Sequence, residues 1–378
     1  MNLPPTKPRR DIYDGMDADA LRQIARDQHS QIIELANPGG VGADDLTARL
    51  DAQIYSPANK PQEPTPRFCL AGIGVCTPGN LTAISAQPKA GKTAAIGAMI
   101  ASAFADESQD CLGWNSENAS GLAIVHLDTE QCPFDHWQLI TRALRRAGAS
   151  PAPDWLRSFC VTGFLHSDIR ESIRLSLDRA AQKFGGIHSF ILDGAADAIA
   201  DVNDPAESNE FVSELHALAI QYDCPIIGVI HLNPGSDFKT RGHLGSQLER
   251  KAETNLRLDQ DKDGISAIWA ERNRRQPIPK NSAPCFAWDD SRKMHVTVKN
   301  PAEAKADAKR GSKLAATREA AERVFAQGKK SALAHGELVR RICDAEGLQP
   351  SGSRRRVETW LRDGVVTKDD AGFYHLSP

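Results

Sequence analysis

The most informative segment of this chain reads Ala86-Gln87-Pro88-Lys89-Ala90-Gly91-Lys92-Thr93 and continues into Ala94. It follows an apolar run, residues 81–85, and precedes a run of small and apolar residues. A strand, a glycine-containing turn and a helix in this order predict a loop whose backbone N–H groups surround phosphate oxygens. Lys92 is expected to reach the β- and γ-phosphates and Thr93 to hold Mg²⁺ through its hydroxyl. Ala86 replaces the first glycine of the usual pattern, at a position that does not always need positive φ.

Two acidic candidates follow further apolar runs. Residues 190–194 read as a strand that ends in Asp193, where nucleotide hydrolysis needs a carboxylate beside the Mg²⁺. The alternative for Asp193 is a cap of the next helix. Residues 125–131 place Glu130 just after another strand, where a carboxylate can orient the attacking water. Asp128 competes for that role, and Glu130 can instead be a favourable charge at a helix start.

A histidine and a polar loop come next. His231 ends a further apolar run, where it can sense the γ-phosphate and pass its state to the following loop, although a lone histidine is usually structural. That loop, residues 234–246, is rich in glycine and polar residues. Its side chains Lys239, Arg241 and His243 are either contacts for a nucleic-acid backbone or solvated charges.

A basic run, residues 271–275, follows the last apolar strand of this region. Guanidinium groups beyond a strand end can stabilise transition-state charge at a neighbouring subunit's nucleotide. Arg272 and Arg274 are the candidates for such trans fingers. The alternative is an ordinary basic surface turn.

Composition is that of a globular protein, with 378 residues, 40% hydrophobic residues and 25% charged residues. The length suggests two domains. No apolar run approaches the length of a membrane span, and the N-terminus shows no signal-peptide pattern. Eight scattered cysteines without zinc or disulfide spacing predict reduced thiols in a cytoplasmic protein. Net charge is −3 overall, but residues 300–378 carry 15 Lys and Arg against 11 Asp and Glu, which leaves −7 for residues 1–299.

Four segments are predicted along the chain. Residues 1–67 are a polar preface with helices over 17–35 and 44–54 and a proline-rich linker. Residues 68–299 alternate strands and helices, typical of an α/β domain with a mostly parallel sheet. Its strands are predicted at residues 81–85, 121–127, 159–162, 189–192, 225–230, 254–258 and 265–270. Residues 300–313 form a charged linker.

Residues 314–378 are the last predicted segment, with helices over 314–327, 335–346 and 352–361 followed by two short strands. This is the layout of a winged helix-turn-helix. The third helix carries Arg354, Arg355 and Arg356 in its first turns, and basic residues at the start of a recognition helix suit the DNA major groove. Protein-docking winged helices share the same pattern, so both uses remain open.

The ordered set of motifs over residues 68–275 resembles RecA-type ATPases, in the group of plasmid- and phage-encoded RepA-like hexameric helicases and mobile-element AAA-family ATPases. Residues 272–274 are similar to the finger motif of RadA- and DnaB-like proteins. The resemblance implies an ATP- and Mg²⁺-dependent RecA-like core, with Glu130 as catalytic carboxylate, Asp193 as second-motif acid, His231 as sensor and Arg272 and Arg274 as trans fingers. RepA-like helicases place a finger arginine earlier, which makes Arg241 a rival. The chain departs from the pattern in lacking a glycine directly after Arg274.

The expected function is ATP-driven handling of DNA for a mobile element, as a helicase or replication initiator assembled as a homo-oligomeric, hexameric ring. Single-stranded DNA would contact the core, and duplex DNA the C-terminal segment. The alternative is an ATP-switched regulatory or partner-docking protein without unwinding activity.

Overall fold

The structure, a computed structural model, describes residues 43–58, 60–233, 239–327 and 332–377. The chain divides into two compact units, residues 1–300 and 301–378. The helix predicted over 17–35 lies outside the described residues, as does part of the polar loop, 234–238. The described helices include none that is both long enough and apolar enough to cross a membrane.

The first unit is an α/β structure whose elements follow one another in this order: α1 (Ala43–Ala52), β1 (Phe68–Leu70), β2 (Ile73–Cys76), β3 (Leu81–Ala86), α2 (Lys92–Ser102), β4 (Trp114–Ser116), β5 (Ala123–Asp128), α3 (Pro133–Arg146), β6 (Leu156–Cys160), α4 (His166–Phe184), β7 (Ile187–Asp193), α5 (Pro205–Gln221), β8 (Ile226–His231), α6 (Gly242–Lys251), β9 (Thr254–Gln260), β10 (Ser266–Asn273), β11 (Cys285–Asp289) and β12 (Met294–Val298). Short 3₁₀ turns lie at Ala195–Ala198 and Lys280–Ser282.

Nine of these strands form one sheet in the order β12-β11-β10-β9-β3-β8-β7-β5-β6. The six strands from β9 to β6 run parallel, and β10, β11 and β12 extend the sheet antiparallel at one edge. All seven predicted strands are present, which confirms a large and mostly parallel sheet. The seventh, β10, is antiparallel to its neighbours.

Helices cover both faces of the sheet, which explains why its central strands are continuous apolar runs. Alternate residues of β3 enter different cores: Leu81 and Ala83 pack with α4, α5 and α6, while Ile84 and Ala86 pack with α2 and α3. This alternation is the two-residue period of a strand.

A second, small sheet has the order β2-β1-β4. Its strands have three or four residues, too few for the sequence pattern to show a period.

Strand register positions the site. Asp128 lies opposite Asp193 across β5 and β7, and Ala86 lies opposite His231 across β3 and β8. All four residues therefore end their strands at the carboxyl edge, the edge at which open parallel sheets bind ligands.

The second unit contains α7 (Pro301–Ala326), β13 (Ala332–Leu333), α8 (His335–Glu346), α9 (Pro350–Arg362), β14 (Val366–Lys368) and β15 (Tyr374–Leu376). Its strands form an antiparallel sheet in the order β13-β15-β14. Its core includes Trp360 of α9, Leu338 and Ile342 of α8, and Val324 of α7. The order helix, strand, two helices and two strands adds one strand to the predicted layout.

The predicted linker, residues 300–313, is instead almost wholly helical, because α7 begins at Pro301 rather than near Leu314. The segment alternates alanine with lysine, glutamate, aspartate and arginine, most of which favour a helix. Proline is favourable at the first helical position because the N–H that it lacks is not needed there. The segment is thus helical rather than irregular, because a small, charged composition is shared by linkers and by solvated helices, and its role as a linker stays a prediction.

Candidate active site

The loop between β3 and α2 has the backbone that its sequence predicts. Gly91 immediately precedes α2 in a left-handed conformation, with φ 95°. A β-carbon at Gly91 would lie 2.9 Å from the Phe286 ring and 3.0 Å from Oγ of Ser266, so only glycine fits. Ala86 is the last residue of β3 and is not among the residues with positive φ, which explains why alanine is accommodated there.

The amino end of α2 has the properties of an anion site. Among the residues that the structure describes, no side chain is recorded as a cap of its first N–H groups, and its first turn carries no acidic residue. Free amide groups and the positive end of the helix dipole together favour a bound phosphate. Lys92 is the first residue of this helix and its side chain is largely buried.

Three strands bring Lys92, Glu130 and His231 together. Nζ of Lys92 lies 3.0 Å from Oε2 of Glu130 and 3.0 Å from Nε2 of His231. Nε2 of His231 also lies 3.0 Å from Oε1 of Glu130. Burial alone would raise the pKa of Glu130, but the contacts with His231 and Lys92 outweigh it and lower this pKa to about 2. Glu130 is therefore an ionised carboxylate beside the loop.

The turn that carries Glu130 is fixed by the residue two before it. Oδ1 of Asp128 accepts the backbone N–H groups of Glu130 and Gln131 at 3.1 and 3.0 Å. Oδ2 lies 2.9 Å from the side-chain nitrogen Nε2 of Gln131 and 3.0 Å from Nδ1 of His136. Burial raises the pKa of Asp128, but these hydrogen bonds lower it below its ordinary value. Asp128, the competitor in the sequence, is thus buried and engaged by four donors, while Glu130 faces Lys92.

Thr129 attaches the same turn to the end of β7. Its hydroxyl lies 3.0 Å from the main-chain oxygen of Asp193 and 2.7 Å from Oδ2 of Asp197. Gly194 makes this close approach possible, because a β-carbon there would overlap Oγ1 of Thr129. Gly194 also has φ 103°, which L side chains rarely adopt. Sequence reasoning missed Thr129, although Gly194 directly after the strand aspartate was a signal.

The side chain of Asp193 is buried. Burial raises its pKa to about 7, with Lys92 opposing the shift and Glu130 and Asp128 adding to it. Its Oδ1 has no hydrogen-bond partner among the residues that the structure describes. A buried carboxylate oxygen without a donor suits a hard cation such as Mg²⁺, for which Thr93 is placed one residue after Lys92.

A wider grouping could also hold a cation. His126, Asp128 and Asp193 each offer one ligand atom, and these atoms lie within 4.8 Å of one another. Asp128 already accepts from four donors. Among the three, the atoms without a partner in the described residues are therefore Nε2 of His126 and Oδ1 of Asp193.

The loop between β3 and α2 is connected to the polar loop after β8. Nε2 of Gln87 donates to the main-chain oxygen of Asn233 at 2.9 Å. The N–H of Asn233 donates to the oxygen of Lys239 at 2.8 Å, and the N–H of Arg241 donates to the oxygen of His231 at 3.0 Å. Lys239 and Arg241, which are exposed, are thus held by the backbone of the segment that contains His231.

Two of the three arginine candidates share one cavity. Arg241 and Arg272, together with Lys239 and His243, line a cavity of about 700 Å³. Arg274 is exposed and does not line it; its N–H donates to the main-chain oxygen of Glu253 at 3.1 Å.

In the second unit, the three arginines of α9 differ. Arg354 and Arg355 are exposed, while Nε of Arg356 donates to Oε2 of Glu346 at 2.8 Å. Val357 and Trp360, one and four residues after Arg356, are buried in the core of this unit. The helix therefore presents Arg354 and Arg355 to solvent.

No protein-family model matches this sequence, and no protein with a curated description matches it either. Among solved structures, the chain is similar to the crystal structure of the RadB recombinase, with 19% sequence identity and a TM-score of 0.41. The match covers 61% of this chain and 95% of that one. A likeness this distant assigns neither a family nor residue roles to this chain.

Proposed function

We propose that this protein is a RecA-like ATPase that hydrolyses ATP in an Mg²⁺-dependent reaction. The observation that carries the proposal is the meeting of Lys92, Glu130, His231 and Asp193 at the amino end of α2, from four separate elements. The loop of residues 86–93, the amino end of α2 and the buried Asp193, whose Oδ1 accepts no hydrogen bond from the described residues, are components that phosphoryl transfer to water requires.

The roles follow from charge and position. Lys92 and the backbone N–H groups of residues 86–94, of which Pro88 has none, bind the β- and γ-phosphates, and Lys92 then exchanges its contact with Glu130 for phosphate oxygens. Glu130, ionised at neutral pH, orients and deprotonates the attacking water. Thr93 and Asp193 would hold Mg²⁺, which would supply charge neutralisation on the phosphates. His231 contacts both Lys92 and Glu130, and it senses whether the γ-phosphate is present.

We further propose that hydrolysis serves DNA handling in a homo-oligomeric ring, as in a helicase or replication initiator of a mobile element. Lys239 and Arg241 would contact single-stranded DNA, and their attachment to the segment of His231 supports a link to the nucleotide. The second unit would act as a winged helix that holds duplex DNA through Arg354 and Arg355; its element order supports this.

ATP hydrolysis with and without single-stranded DNA tests the core of the proposal. The wild type is expected to hydrolyse ATP faster with DNA, and Lys92→Ala to lose the activity, because the phosphates lose their cation. Lys183→Ala, an exposed residue in the last turn of α4, which leads into the amino end of β7, is the matched control. Activity that survives in Lys92→Ala contradicts the proposed site.

A strand-displacement assay on forked DNA distinguishes an ATP-driven helicase motor from an ATP-switched regulatory protein. A motor separates the strands with ATP but not with a non-hydrolysable analogue. Slow hydrolysis indifferent to DNA, together with binding of one duplex sequence and no strand separation, would instead identify an ATP-switched regulatory protein.

A further inference from the structure

Four polar side chains, those of His126, Ser158, His136 and Asp128, form a row of hydrogen-bonding contacts that ends at the turn carrying Glu130. In the proposed site none of the four contacts the nucleotide. Nδ1 of His126 lies 2.8 Å from Oγ of Ser158, which lies 3.1 Å from Nε2 of His136. Nδ1 of His136 lies 3.0 Å from Oδ2 of Asp128. The two imidazole rings are stacked, with centroids 5.6 Å apart and an interplanar angle of 12°.

The row ends in a defined hydrogen bond. An ionised carboxylate only accepts hydrogen bonds, so His136 donates through Nδ1 to Asp128 whatever the charge of its ring. Ser158 contacts both rings and so fixes the rotation of His136. His126, His136 and Asp128 are all buried, which makes an unpaired group in this row costly.

This row of side chains influences the position of Glu130 through the two carboxylate oxygens of Asp128. Oδ2 is held by His136 of α3 and by Gln131, and Oδ1 then lies where it accepts the N–H groups of Glu130 and Gln131. Without the donor on His136, a buried carboxylate loses one of its four partners and can rotate. The backbone that presents Glu130 would move with it, and misplacement of a reacting group by about 1 Å can cost on the order of 100-fold in rate.

We infer that His136 is a positioning residue for hydrolysis, which fixes Glu130 through Asp128 while Ser158 and His126 lock its own ring. This inference rests on the proposed function, in which Glu130 acts on the attacking water. The order Ser158, His136, Asp128 is also that of nucleophilic hydrolases, but here the serine hydroxyl is engaged by two rings and serves as a bridge between them.

The test compares His136→Ala with His136→Asn, because an asparagine side chain can place an N–H donor near the position of Nδ1. His136→Ala is expected to lower kcat roughly 10- to 100-fold while the Kd of a fluorescent ATP analogue changes less than about threefold. His136→Asn is expected to recover most of the loss. His166→Ala, an exposed histidine at the start of α4, is the matched control.

A second readout does not depend on activity. Hydrogen exchange of a peptide containing Glu130 and Gln131 should be faster in His136→Ala than in wild type and restored in His136→Asn, since both amides donate to Asp128. Unchanged kcat in His136→Ala, or reduced kcat without faster exchange or without rescue by asparagine, overturns the inference. Exchange that responds as expected in a protein that does not hydrolyse ATP contradicts the proposed function, and leaves the link from His136 to the turn established.

Discussion

Nζ of Lys92 and Oε2 of Glu130 lie 3.0 Å apart although 38 residues separate them in the chain. The pair forms because β3 and β5 both end at the carboxyl edge of the sheet, and His231 at the end of β8 contacts both members. A cation next to the loop of residues 86–93 and an ionised carboxylate therefore meet at one edge of the sheet.

Glu130→Gln is expected to lower kcat for ATP roughly 10²- to 10⁴-fold, because glutamine keeps the size of the side chain but cannot accept a proton. The Kd of an ATP analogue should change only a few-fold, since Lys92 and the loop amides remain. Steady-state kinetics and analogue titration measure the two effects. Glu171→Gln on the exposed face of α4 is the control, and a wild-type rate in Glu130→Gln would remove Glu130 from the reaction.

Gly194→Ala is expected to lower both stability and kcat, because a β-carbon there overlaps Oγ1 of Thr129. Backbone strain at positive φ costs about 1–3 kcal/mol, and forcing Thr129 away adds a similar overpacking cost. Gly264→Ala is the matched control, since Gly264 has φ 79° but nothing within 4 Å of its added β-carbon. Urea unfolding and ATPase rates should separate the two variants. Equal loss in both would show that strain alone, and not the contact with Thr129, accounts for the effect.

Mixed oligomers can identify the trans arginine. Subunits with Lys92→Ala keep their arginines, and subunits with Arg272→Ala or Arg241→Ala keep an intact phosphate loop. A mixture is expected to hydrolyse ATP faster than either variant alone, because mixed interfaces combine one intact loop with one intact arginine. Arg274→Ala, tested in parallel, should give less rescue since Arg274 lies outside the cavity shared by the other two. No rescue with any of the three would argue against catalysis between subunits.

Asp193→Asn is expected to abolish Mg²⁺-dependent hydrolysis yet stabilise the protein in the absence of nucleotide. The pKa of Asp193 is about 7 in the folded chain, well above its ordinary value of 3.8. Between these values the unfolded chain is ionised while the folded chain retains the proton, so the free energy of unfolding falls as pH rises and levels off above about pH 7. Because asparagine carries no titratable carboxyl group, the Asp193→Asn variant does not lose this part of its free energy of unfolding as pH rises.

Urea unfolding of wild type and Asp193→Asn at pH 5 and pH 8 measures the effect. The advantage of the variant should be larger at pH 8, by an amount on the order of a few kcal/mol for a shift of this size. The same advantage at both values of pH would mean that Asp193 is not held protonated by burial.

The double variant Arg354→Ala, Arg355→Ala of the full chain is expected to weaken duplex binding for all sequences if these side chains bind phosphates. The slope of log K against log salt should fall by about one for each phosphate that is no longer neutralised. Arg362→Ala, near the other end of α9, is the control because its Nε already pairs with Asp363. Unchanged affinity and slope would favour a protein-docking role for this unit.

Local pattern was sufficient for seven strands between residues 81 and 270, but it missed the short strands β1, β2 and β4 and the edge strands β11 and β12. The helix predicted over 335–346 is α8, and the loop of residues 86–93 has the left-handed glycine that its motif requires. Apolar periodicity and glycine conformation act over a few neighbouring residues, so they can be read along the chain. The start of α7 was not found in this way, because residues 301–313, whose charged composition is typical of a linker, are already helical.

The sequence by itself determined the turn of residues 86–93 between β3 and α2, the strand ends at or near which Glu130, Asp193 and His231 lie, and the order in which they follow one another. Only the tertiary structure decided that Glu130 rather than Asp128 faces Lys92, that Thr129 needs Gly194, and that His136 holds Asp128. The first two pairings depend on strand order and register, with β8 between β3 and β7 and Asp128 opposite Asp193, and they join residues distant along the chain that no local period encodes. The third joins residues only eight apart, and it depends on how α3 packs after the turn that follows β5.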